Sequence, residues 1–491
     1  MSSTESIVII SIFMPFLASF LNFVLRNSEN VRDTVTFLIS LLTFVFVLII
    51  LRDFISGNEI DFSLIEIMPG ISIGFKIEPL GMLFALVASG LWIITHIYAI
   101  GYMRSNDENN QARFFACFSV AIGTVLGLAF SKNLFTLFLF YEVLTLSTFP
   151  LVAHKGTAEA LSGAKTYLAI LLGTSVGFQL VAIIWVYFLA GTLDFTLQGV
   201  LKGKVSNLQA SVLLALFAFG IGKAALMPFH RWLPAAMVAP TPVSALLHAV
   251  AVVKAGVFTI LKVGIYIFGI DFLSQTGVSH WLIWLATFSV LSASVIAMTK
   301  DNLKARLAYS TVSQLSYITL GVALANSLGV LGGSLHIATH ALGKITLFMC
   351  AGSIYVTTHK TKISEMAGLG RLMPITFTAF FIGSISIIGL PPLGGSWSKW
   401  LLVLSAIEAE YIYVVAAFMI SSILNIAYLI PIVTQAFFRS KREENFILKK
   451  KISEAPVFCW LPTVITAIGC FILFLYSGLV RDFLIPITLA N

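Results

Sequence analysis

The sequence predicts an all-α protein that crosses a lipid bilayer many times. Of its 491 residues, 58% are hydrophobic and only 11% are charged, whereas soluble domains are about 25% charged. Apolar stretches of roughly 20 residues recur along the whole chain, and a helix of that length crosses the hydrocarbon core of a bilayer. The short alternating segments of a β-barrel are absent. We therefore expect a polytopic helical membrane protein.

The apolar stretches divide the chain into about 14 membrane spans. The first has no basic region or cleavage site before it, so we interpret it as a membrane helix rather than a cleavable signal. Between spans 2 and 3, residues 53–79 contain Gly57, Pro69 and alternating apolar residues, which predict an extramembrane hairpin. The spans are 7–25, 34–52, 80–102, 113–131, 133–153, 165–190, 208–229, 242–268, 280–299, 307–325, 331–356, 373–400, 411–437 and 457–480.

Two spans are predicted to be broken. Span 7 contains Pro228, and span 12 contains Pro391 and Pro392. Proline removes a backbone donor and clashes with the preceding turn, and such breaks persist in a membrane where protein or a wet cavity covers them. Because the breaks lie five spans apart, spans 4–8 and 9–13 are candidate halves of an internal repeat, a pattern that indicates a transport path.

The repeat suggests four regions. These are 1–112, with spans 1–3 and the hairpin; 113–268, with spans 4–8; 280–437, with spans 9–13; and 457–491, with span 14.

The loop charges predict the orientation. Most loop lysines and arginines fall on the side opposite the two termini, and we count Arg32 and Lys262 among the loop residues. The positive-inside rule then places both termini on the outer side of the cell membrane. Membrane orientation explains the net charge of +8 better than a nucleic-acid partner does.

Charged residues inside the spans are the strongest functional signal. Glu142 and four lysines, Lys223, Lys254, Lys344 and Lys399, lie in long apolar stretches, where each charge costs roughly 3 kcal/mol. These residues predict movement of protons or ions through the membrane. The alternatives are a structural ion pair for Glu142, a snorkelling side chain for Lys223 and an interfacial anchor for Lys399. Lys254 lies too far from either end of its span to snorkel.

Histidines accompany two of the lysines. His336, His340 and Lys344 are spaced four residues apart, which places them on one helix face and suggests a proton wire. No third ligand is near in sequence, so we expect no zinc. His248 lies six residues before Lys254 and fits a relay or a core role. A polar stripe in span 10, residues 309–317, either orders water or joins helices.

No cofactor site is expected. The sequence has neither a glycine-rich dinucleotide motif nor a Walker loop. The cysteines form no CxxC pair and lie in apolar segments, so we interpret them as core residues. They are Cys117, Cys350, Cys459 and Cys470.

These segments resemble the antiporter-like membrane subunits shared by respiratory complex I and the Mrp-type multisubunit sodium/proton antiporters. The resemblance covers about spans 3–13, and the motifs occur in the family's order. They are YEVL at 141–144, GKAALMP at 222–228, WLP at 232–234, APTPVSALLH at 239–248 leading to Lys254, YSTVSQ at 309–314, and GLPP at 389–392 with Lys399.

The resemblance implies a 14-helix core with two inverted five-helix repeats. It implies that Glu142 and Lys223 pair in a first half-channel, that Lys254 connects the halves with Lys344 and the histidines nearby, and that Lys399 serves the second half-channel. Residues 142–155 look most like the D-type subunit of the Mrp antiporter. The middle complex I subunit of the family has a glutamate where this chain has Lys399.

The sequence therefore predicts a proton-translocating subunit of an Mrp-type cation/proton antiporter, with other membrane subunits, protons and sodium ions as partners. A proton-pumping membrane subunit of NADH:quinone oxidoreductase is the alternative. A non-transporting scaffold that kept the fold is disfavoured, because all the buried charges are present.

Overall fold

The computed structural model describes residues 3–246, 250–438 and 452–489, and these residues are mostly helical. His248, a predicted relay residue, and the polar loop at 439–451 lie outside the described residues. The helices are α1 Ser3–Val24, α2 Glu29–Ile55, α3 Pro79–Ser105, α4 Gln111–Ala129, α5 Leu134–Val152, α6 Ala158–Thr174, α7 Leu180–Ala190, α8 Asn207–Gly220, α9 Trp232–Ala235, α10 Thr241–Ala245, α11 Val252–Lys262, α12 Ile270–Thr276, α13 His280–Thr299, α14 Leu303–Ala323, α15 Ser327–Thr358, α16 Leu369–Leu372, α17 Pro374–Ile388, α18 Gly395–Glu408, α19 Ile412–Phe438 and α20 Val457–Leu484.

Short turns of other helix types interrupt or extend this set. Among those that lie wholly within the described ranges, two are π-helical, Ser175–Gln179 and Val263–Phe268, and four are 3₁₀ turns, Gly222–Ala224, Ala236–Val238, Ile363–Glu365 and Ile485–Thr488.

The predicted hairpin between spans 2 and 3 is confirmed. Strands β1 (Asp61–Met68) and β2 (Ile71–Lys76) pair antiparallel. The Asp61 carboxylate lies 2.7 Å from Nζ of Lys132 and 3.3 Å from Nζ of Lys76, so it joins both strands to the segment that leads into α5. This contact fixes the hairpin over the start of the helix that carries Glu142.

The all-α membrane architecture is confirmed, but the count of spans is not. Within the described ranges, ten helices are long and apolar enough to cross a membrane, or eleven if one pair bent by 76° counts as a span. The expected spans 7, 8 and 12 are divided into shorter pieces. Span 10 corresponds to α14, whose many hydroxyl side chains lower its hydropathy. The segments that carry Lys223, Lys399 and the polar stripe are therefore outside these ten helices, whereas Glu142 lies on α5 and Lys344 on α15, which both belong to the ten.

Both predicted breaks are confirmed. After α8 the chain makes the 3₁₀ turn Gly222–Ala224, and Ala225 adopts φ +54°. After α17, Gly389 adopts φ +92°, and α18 begins at Gly395. A turn in which φ is positive cannot continue a right-handed helix, so each break exposes backbone groups inside the protein.

Span 8 was expected to be a continuous helix, and this expectation was wrong. Among the described residues of 241–262, α10 and α11 are the α-helical segments, and a π-helical turn follows α11 up to Phe268. The chain then bends by 76° into α12. Gly269, at the bend, has φ +84°, a conformation that glycine reaches without steric cost.

Helix α15 forms the centre of the second half of the chain. Its residues are buried along most of its length, and it packs against α14, α17, α18 and α20. Gly321 of α14 and Gly329 of α15 lie at their contact, where a Cβ atom added to either would lie within 2.5 Å of the other's carbonyl oxygen. Small residues let membrane helices approach closely, so these two glycines bring the lysine-bearing α15 against the polar stripe of α14.

Two basic residues that we assigned to loops are buried. Lys262 belongs to α11 and forms an ion pair with Glu78, just before α3. Arg32 belongs to α2 and pairs with Asp33 at 2.8 Å, and Asp33 also binds Arg104 at 2.5 Å. The sequence shows that these residues lie near span ends but not that each is buried in an ion pair, Arg32 with its neighbour Asp33 and Lys262 with Glu78. Arg32 and Lys262 therefore do not belong to the loop charges from which the orientation is predicted.

Candidate functional site

The four lysines predicted to lie inside the membrane are buried within the protein. The exposed fraction is 0% for Lys223, Lys254 and Lys344, and 7% for Lys399. Their ammonium groups therefore do not snorkel toward the surface of this chain. Because a buried ammonium needs acceptors for three donors, the contacts of each lysine decide what it can do.

Lys223 lies in the 3₁₀ turn at the first break and points at α5. Its Nζ donates to the carbonyl oxygen of Tyr141 at 2.8 Å and to Oγ1 of Thr145 at 2.6 Å. The same Nζ lies 3.1 Å from the centre of the Tyr141 ring. The Tyr141 hydroxyl also accepts a hydrogen bond from the backbone N–H of Lys223 at 3.2 Å. Tyr141 and Thr145 thus hold the lysine and its backbone against α5.

Glycines allow the broken turn to be packed on both sides. A Cβ atom at Gly256 of α11 would lie 2.3 Å from the backbone carbon of Lys223, and one at Gly222 would lie 2.2 Å from Oγ1 of Thr174. Only glycine fits at these approaches without a shift of the backbone. The helix that carries Lys254 is therefore in direct contact with the turn that carries Lys223.

Glu142 neighbours this cluster, but its carboxylate does not contact Lys223. Both of its carboxylate oxygens are buried and accept no hydrogen bond, and the ion pairs among the described residues do not include Glu142 with Lys223. Successive side chains on a helix point about 100° apart, so Glu142 faces away when Tyr141 and Thr145 face the lysine. Glu142 therefore lies next to a residue that contacts Lys223, but the expected pair does not form an ion pair here.

Lys254 meets the histidines of α15. Its Nζ forms a hydrogen bond with Nδ1 of His340. The rings of His340 and His336 are stacked with centroids 5.7 Å apart. Nδ1 of His336 is 2.8 Å from Oγ of Ser398 in α18. These groups join α11, α15 and α18 through polar contacts.

Lys399 lies at the other end of the same row. Its Nζ donates to the carbonyl oxygen of Ile388 at 3.1 Å, across the second break. It lies 4.7 Å from the centre of the Tyr317 ring, and that ring is stacked on His336 with centroids 5.8 Å apart. A continuous row of polar and aromatic groups therefore runs from Lys254 to Lys399.

The side chain of Lys344 points toward α14 and forms its hydrogen bonds there, rather than with the histidines of α15. Its Nζ donates to Oγ of Ser310 at 2.6 Å and to the carbonyl oxygen of Leu307 at 3.2 Å. The hydroxyl of Tyr428 donates to Ser310 at 2.9 Å. The two histidines share a helix face as the spacing predicts, whereas Lys344 belongs to a side branch with the polar stripe.

Several buried polar atoms along the row have no hydrogen-bond partner in the protein. They include both amide atoms of Gln314, Nε2 of His336 and of His340, and Oγ of Ser334. Buried polar groups are almost always hydrogen-bonded, to protein or to ordered water. The site can therefore accept water molecules between its ionisable groups.

The sequence analysis missed several contact residues. Tyr141 and Thr145 lie beside Glu142 in sequence, and Ser398 immediately precedes Lys399, but only the packing reveals what they touch. Ser310 and Tyr317 belong to the polar stripe at 309–317, for which the sequence allows two interpretations. Both residues contact lysines or histidines of the site, so the stripe is part of the polar row.

His154 is the histidine just after α5, outside the spans. Burial, together with charge repulsion by Arg113, lowers its pKa to about 4. The ring is therefore neutral near pH 7.

Two known protein families match this chain. The family described as "NADH:quinone oxidoreductase/Mrp antiporter, TM" matches residues 131–425, and the family described as "NADH-Ubiquinone oxidoreductase (complex I), chain 5 N-terminus" matches residues 68–115. The first match contains both breaks and all four buried lysines.

Proteins with similar sequences include subunits of NADH-quinone oxidoreductases and a subunit of a probable cation/proton antiporter. The N-type subunit of NADH-quinone oxidoreductase from Desulforudis audaxviator is 31% identical over 427 residues, which is 83% of each chain. The A/B subunit of a probable K(+)/H(+) antiporter from Rhizobium meliloti is 32% identical over 347 residues, 70% of this chain and 34% of that protein. The chain spans 52% of the length of NAD(P)H-quinone oxidoreductase chain 5 of Picosynechococcus.

Two solved structures share the fold over almost the whole chain. A chain of the Mrp complex from Dietzia has a TM-score of 0.86 at 20% identity, covering 99% of this chain and 97% of that one. A chain of the membrane-bound sulfane sulfur reductase, an archaeal respiratory membrane complex, has a TM-score of 0.86 at 24% identity, covering 98% and 99%.

Proposed function

The chain belongs to the family of antiporter-like, proton-translocating membrane subunits found in NADH:quinone oxidoreductase and Mrp antiporters, and on this premise we propose that it moves protons in an Mrp-type multisubunit cation/proton antiporter. Within that assembly it takes the place of the D-type subunit, and the exchanged cation is sodium. The observation that carries the proposal is the continuous row of polar groups between Lys254 and Lys399.

The row offers a proton a series of polar groups, each close to the next. Lys254 shares a hydrogen bond with His340, His340 stacks on His336, and His336 bonds to Ser398, next to Lys399. A histidine can accept a proton at one ring nitrogen and release it from the other. The unpaired Nε2 atoms of both histidines are where water would complete the path.

The first half of the path begins at Lys223 and Glu142. We propose that a proton on Lys223 changes the electrostatic interaction of its ammonium with Glu142, although the two are not in contact. Because α11 packs on the turn that carries Lys223, a change in that turn reaches the helix of Lys254. Lys344 and the polar stripe on α14 then adjust the charge of the ionisable groups in the second half of the path.

The proposal also covers the repeat units of the chain, its orientation in the membrane and its partners. Residues 113–268 and 280–437 would be the two half-channel units, related as inverted repeats, with 1–112 and 457–491 packed beside them. The chain would lie in the cell membrane with both termini on the outer side. Its partners would be the other membrane subunits of the antiporter, and it would require no cofactor or metal of its own.

The test is cation/proton exchange in membrane vesicles that contain the whole assembly. We expect Glu142→Gln and Lys223→Ala each to abolish proton exchange driven by Na⁺, since each removes a group that must change charge. Blue-native electrophoresis should show that the assembly remains intact. Substituting K⁺ for Na⁺ in the same assay identifies the exchanged cation.

Two surface substitutions are the matched controls. Glu408→Gln and Lys202→Ala make the same chemical changes at exposed positions and should leave exchange unchanged. Normal exchange in Glu142→Gln or Lys223→Ala would reject the proposed role of those residues.

Complex I is the second candidate, and one observation favours it. The N-type subunit of the Desulforudis NADH-quinone oxidoreductase matches 83% of both chains, the most even length match among the sequence relatives described above. The two candidates differ in what remains bound after purification in mild detergent. Copurified subunits with NADH-oxidising activity would favour complex I, whereas a set of small membrane subunits without that activity would favour the antiporter.

A further inference from the structure

A cavity of about 540 Å³ lies beside the second break. It is bounded by the break after Ile388, by the first turns of α18, and by side chains of α14, α19 and α20. Its volume lies within the range of about 300–1,000 Å³ that is typical of small-molecule sites. Lys399 and Tyr317 belong to the polar row and also line the cavity, whereas Lys254, His336 and His340 do not line it.

Two polar groups that are more than nine-tenths buried line this cavity. The Nζ of Lys399 has three N–H donors and donates to one acceptor, the carbonyl oxygen of Ile388. The hydroxyl of Tyr317 is buried beside Ser421 and Ser422 but has no well-aligned hydrogen bond. The Lys399 ammonium and the Tyr317 hydroxyl can therefore both donate hydrogen bonds to a molecule in the cavity.

The rest of the cavity wall is apolar and opens on the outer surface of the helix bundle. Leu390, Trp397, Trp400, Met419 and Ile423 are between 41% and 64% exposed, and all of them line the cavity. In a membrane helix bundle, exposed side chains of this kind face the hydrocarbon tails of lipids. A molecule dissolved in the bilayer can therefore enter from the side.

We propose that this cavity binds a long-chain fatty acid from the bilayer, with its carboxylate on Lys399 and Tyr317 and its tail between α18 and α19. A carboxylate accepts hydrogen bonds from both donors, and hydrogen bonds to ionised groups are stronger than neutral ones. A phospholipid headgroup fits less well, because it would bury phosphate and ester oxygens in a wall that is mostly apolar and carries one cationic side chain, Lys399. This site goes beyond the proposed transport function and does not depend on it.

The test is photolabelling of the full chain in its native membranes. The probe is hexadecanoic acid with a photoreactive diazirine on its chain, followed by mass spectrometry of the labelled peptides. We expect labelling in the segments around Trp397 and Ile423, with competition by hexadecanoic acid and much weaker competition by hexadecanol. Lys399→Gln should reduce labelling about tenfold or more, since a hydrogen bond to a charged group is lost.

Three further variants separate ligand binding from misfolding. Tyr317→Phe keeps the ring and should also weaken labelling, and Ile423→Trp should block it by filling the cavity from the membrane side. Lys344→Gln removes a buried lysine that does not line the cavity, and labelling should persist. Labelling confined to other segments, equal competition by the alcohol, or unchanged labelling in Lys399→Gln would each overturn the proposal. None of these results depends on cation exchange, so failure of the transport assignment is distinguishable.

Discussion

The buried lysines of the site are held by neutral acceptors. Lys223 donates to a backbone carbonyl and a threonine hydroxyl, Lys254 bonds to a histidine, and Lys344 bonds to a serine and a carbonyl. Carboxylates are absent from these described contacts. A lysine held by neutral acceptors can lose its proton without leaving an unpaired buried anion, whereas a lysine in a buried ion pair cannot. This distinguishes the four site lysines from Lys262, which is paired with Glu78.

His340→Phe tests the contact between the two halves. Phenylalanine keeps an aromatic ring in the stack but offers no acceptor to Lys254, so a buried donor loses its partner, at a cost of about 1–3 kcal/mol. We expect exchange in vesicles to fall at least about tenfold. His280→Phe, at an exposed position, is the control and should exchange normally. If His340→Phe also exchanges at the control rate, protons do not pass through this histidine.

At the scale of helices, the breaks are what bring the lysines to polar partners. The break after α17 frees the carbonyl oxygen of Ile388, which Lys399 then uses as its acceptor. The break after α8 turns Lys223 toward α5. An uninterrupted helix would keep these carbonyl groups in its own hydrogen bonds. The second break therefore supplies the acceptor of Lys399, whereas the first break directs Lys223 to acceptors in α5.

Gly389→Ala tests the geometry of the second break. Alanine at φ +92° is strained by about 1–2 kcal/mol, and its Cβ atom would lie 2.6 Å from Cδ of Lys399. We expect a lower melting temperature in detergent and reduced exchange, because Lys399 must move away from Ile388. Gly478→Ala in α20, where an added Cβ atom meets nothing within 4 Å, should change neither property. Equal behaviour of the two variants would show that the turn tolerates a side chain.

At the scale of the whole molecule, buried ion pairs away from the site join its parts. Asp33 in α2 binds Arg104 at the end of α3 as well as Arg32, and Lys262 joins α11 to the start of α3. Removing one partner of a buried pair leaves an uncompensated charge and costs about 3–5 kcal/mol. The contacts of Asp33 hold α2 against α3, and the pair of Lys262 with Glu78 holds the start of α3 against α11.

Asp33→Ala tests this structural role. It leaves the buried guanidinium of Arg32 without its carboxylate, so we expect a clear fall in the melting temperature of the purified protein. Asp482→Ala breaks the exposed pair of Arg481 and Asp482 and should change stability by less than about 1 kcal/mol. A loss of stability as small as that of the control would mean that Arg32 finds other acceptors.

The sequence alone determined the membrane class, the hairpin, the two breaks and the family, because hydropathy, proline positions and motif order are local properties. It also identified the residues whose burial needed explanation. Only the tertiary structure decided that Lys254 meets His340, that Lys344 turns to Ser310, that Lys223 contacts Tyr141 rather than Glu142, and that Lys262 is paired and buried. These contacts join residues from different helices, and helix periodicity specifies a face but not the neighbour packed against it.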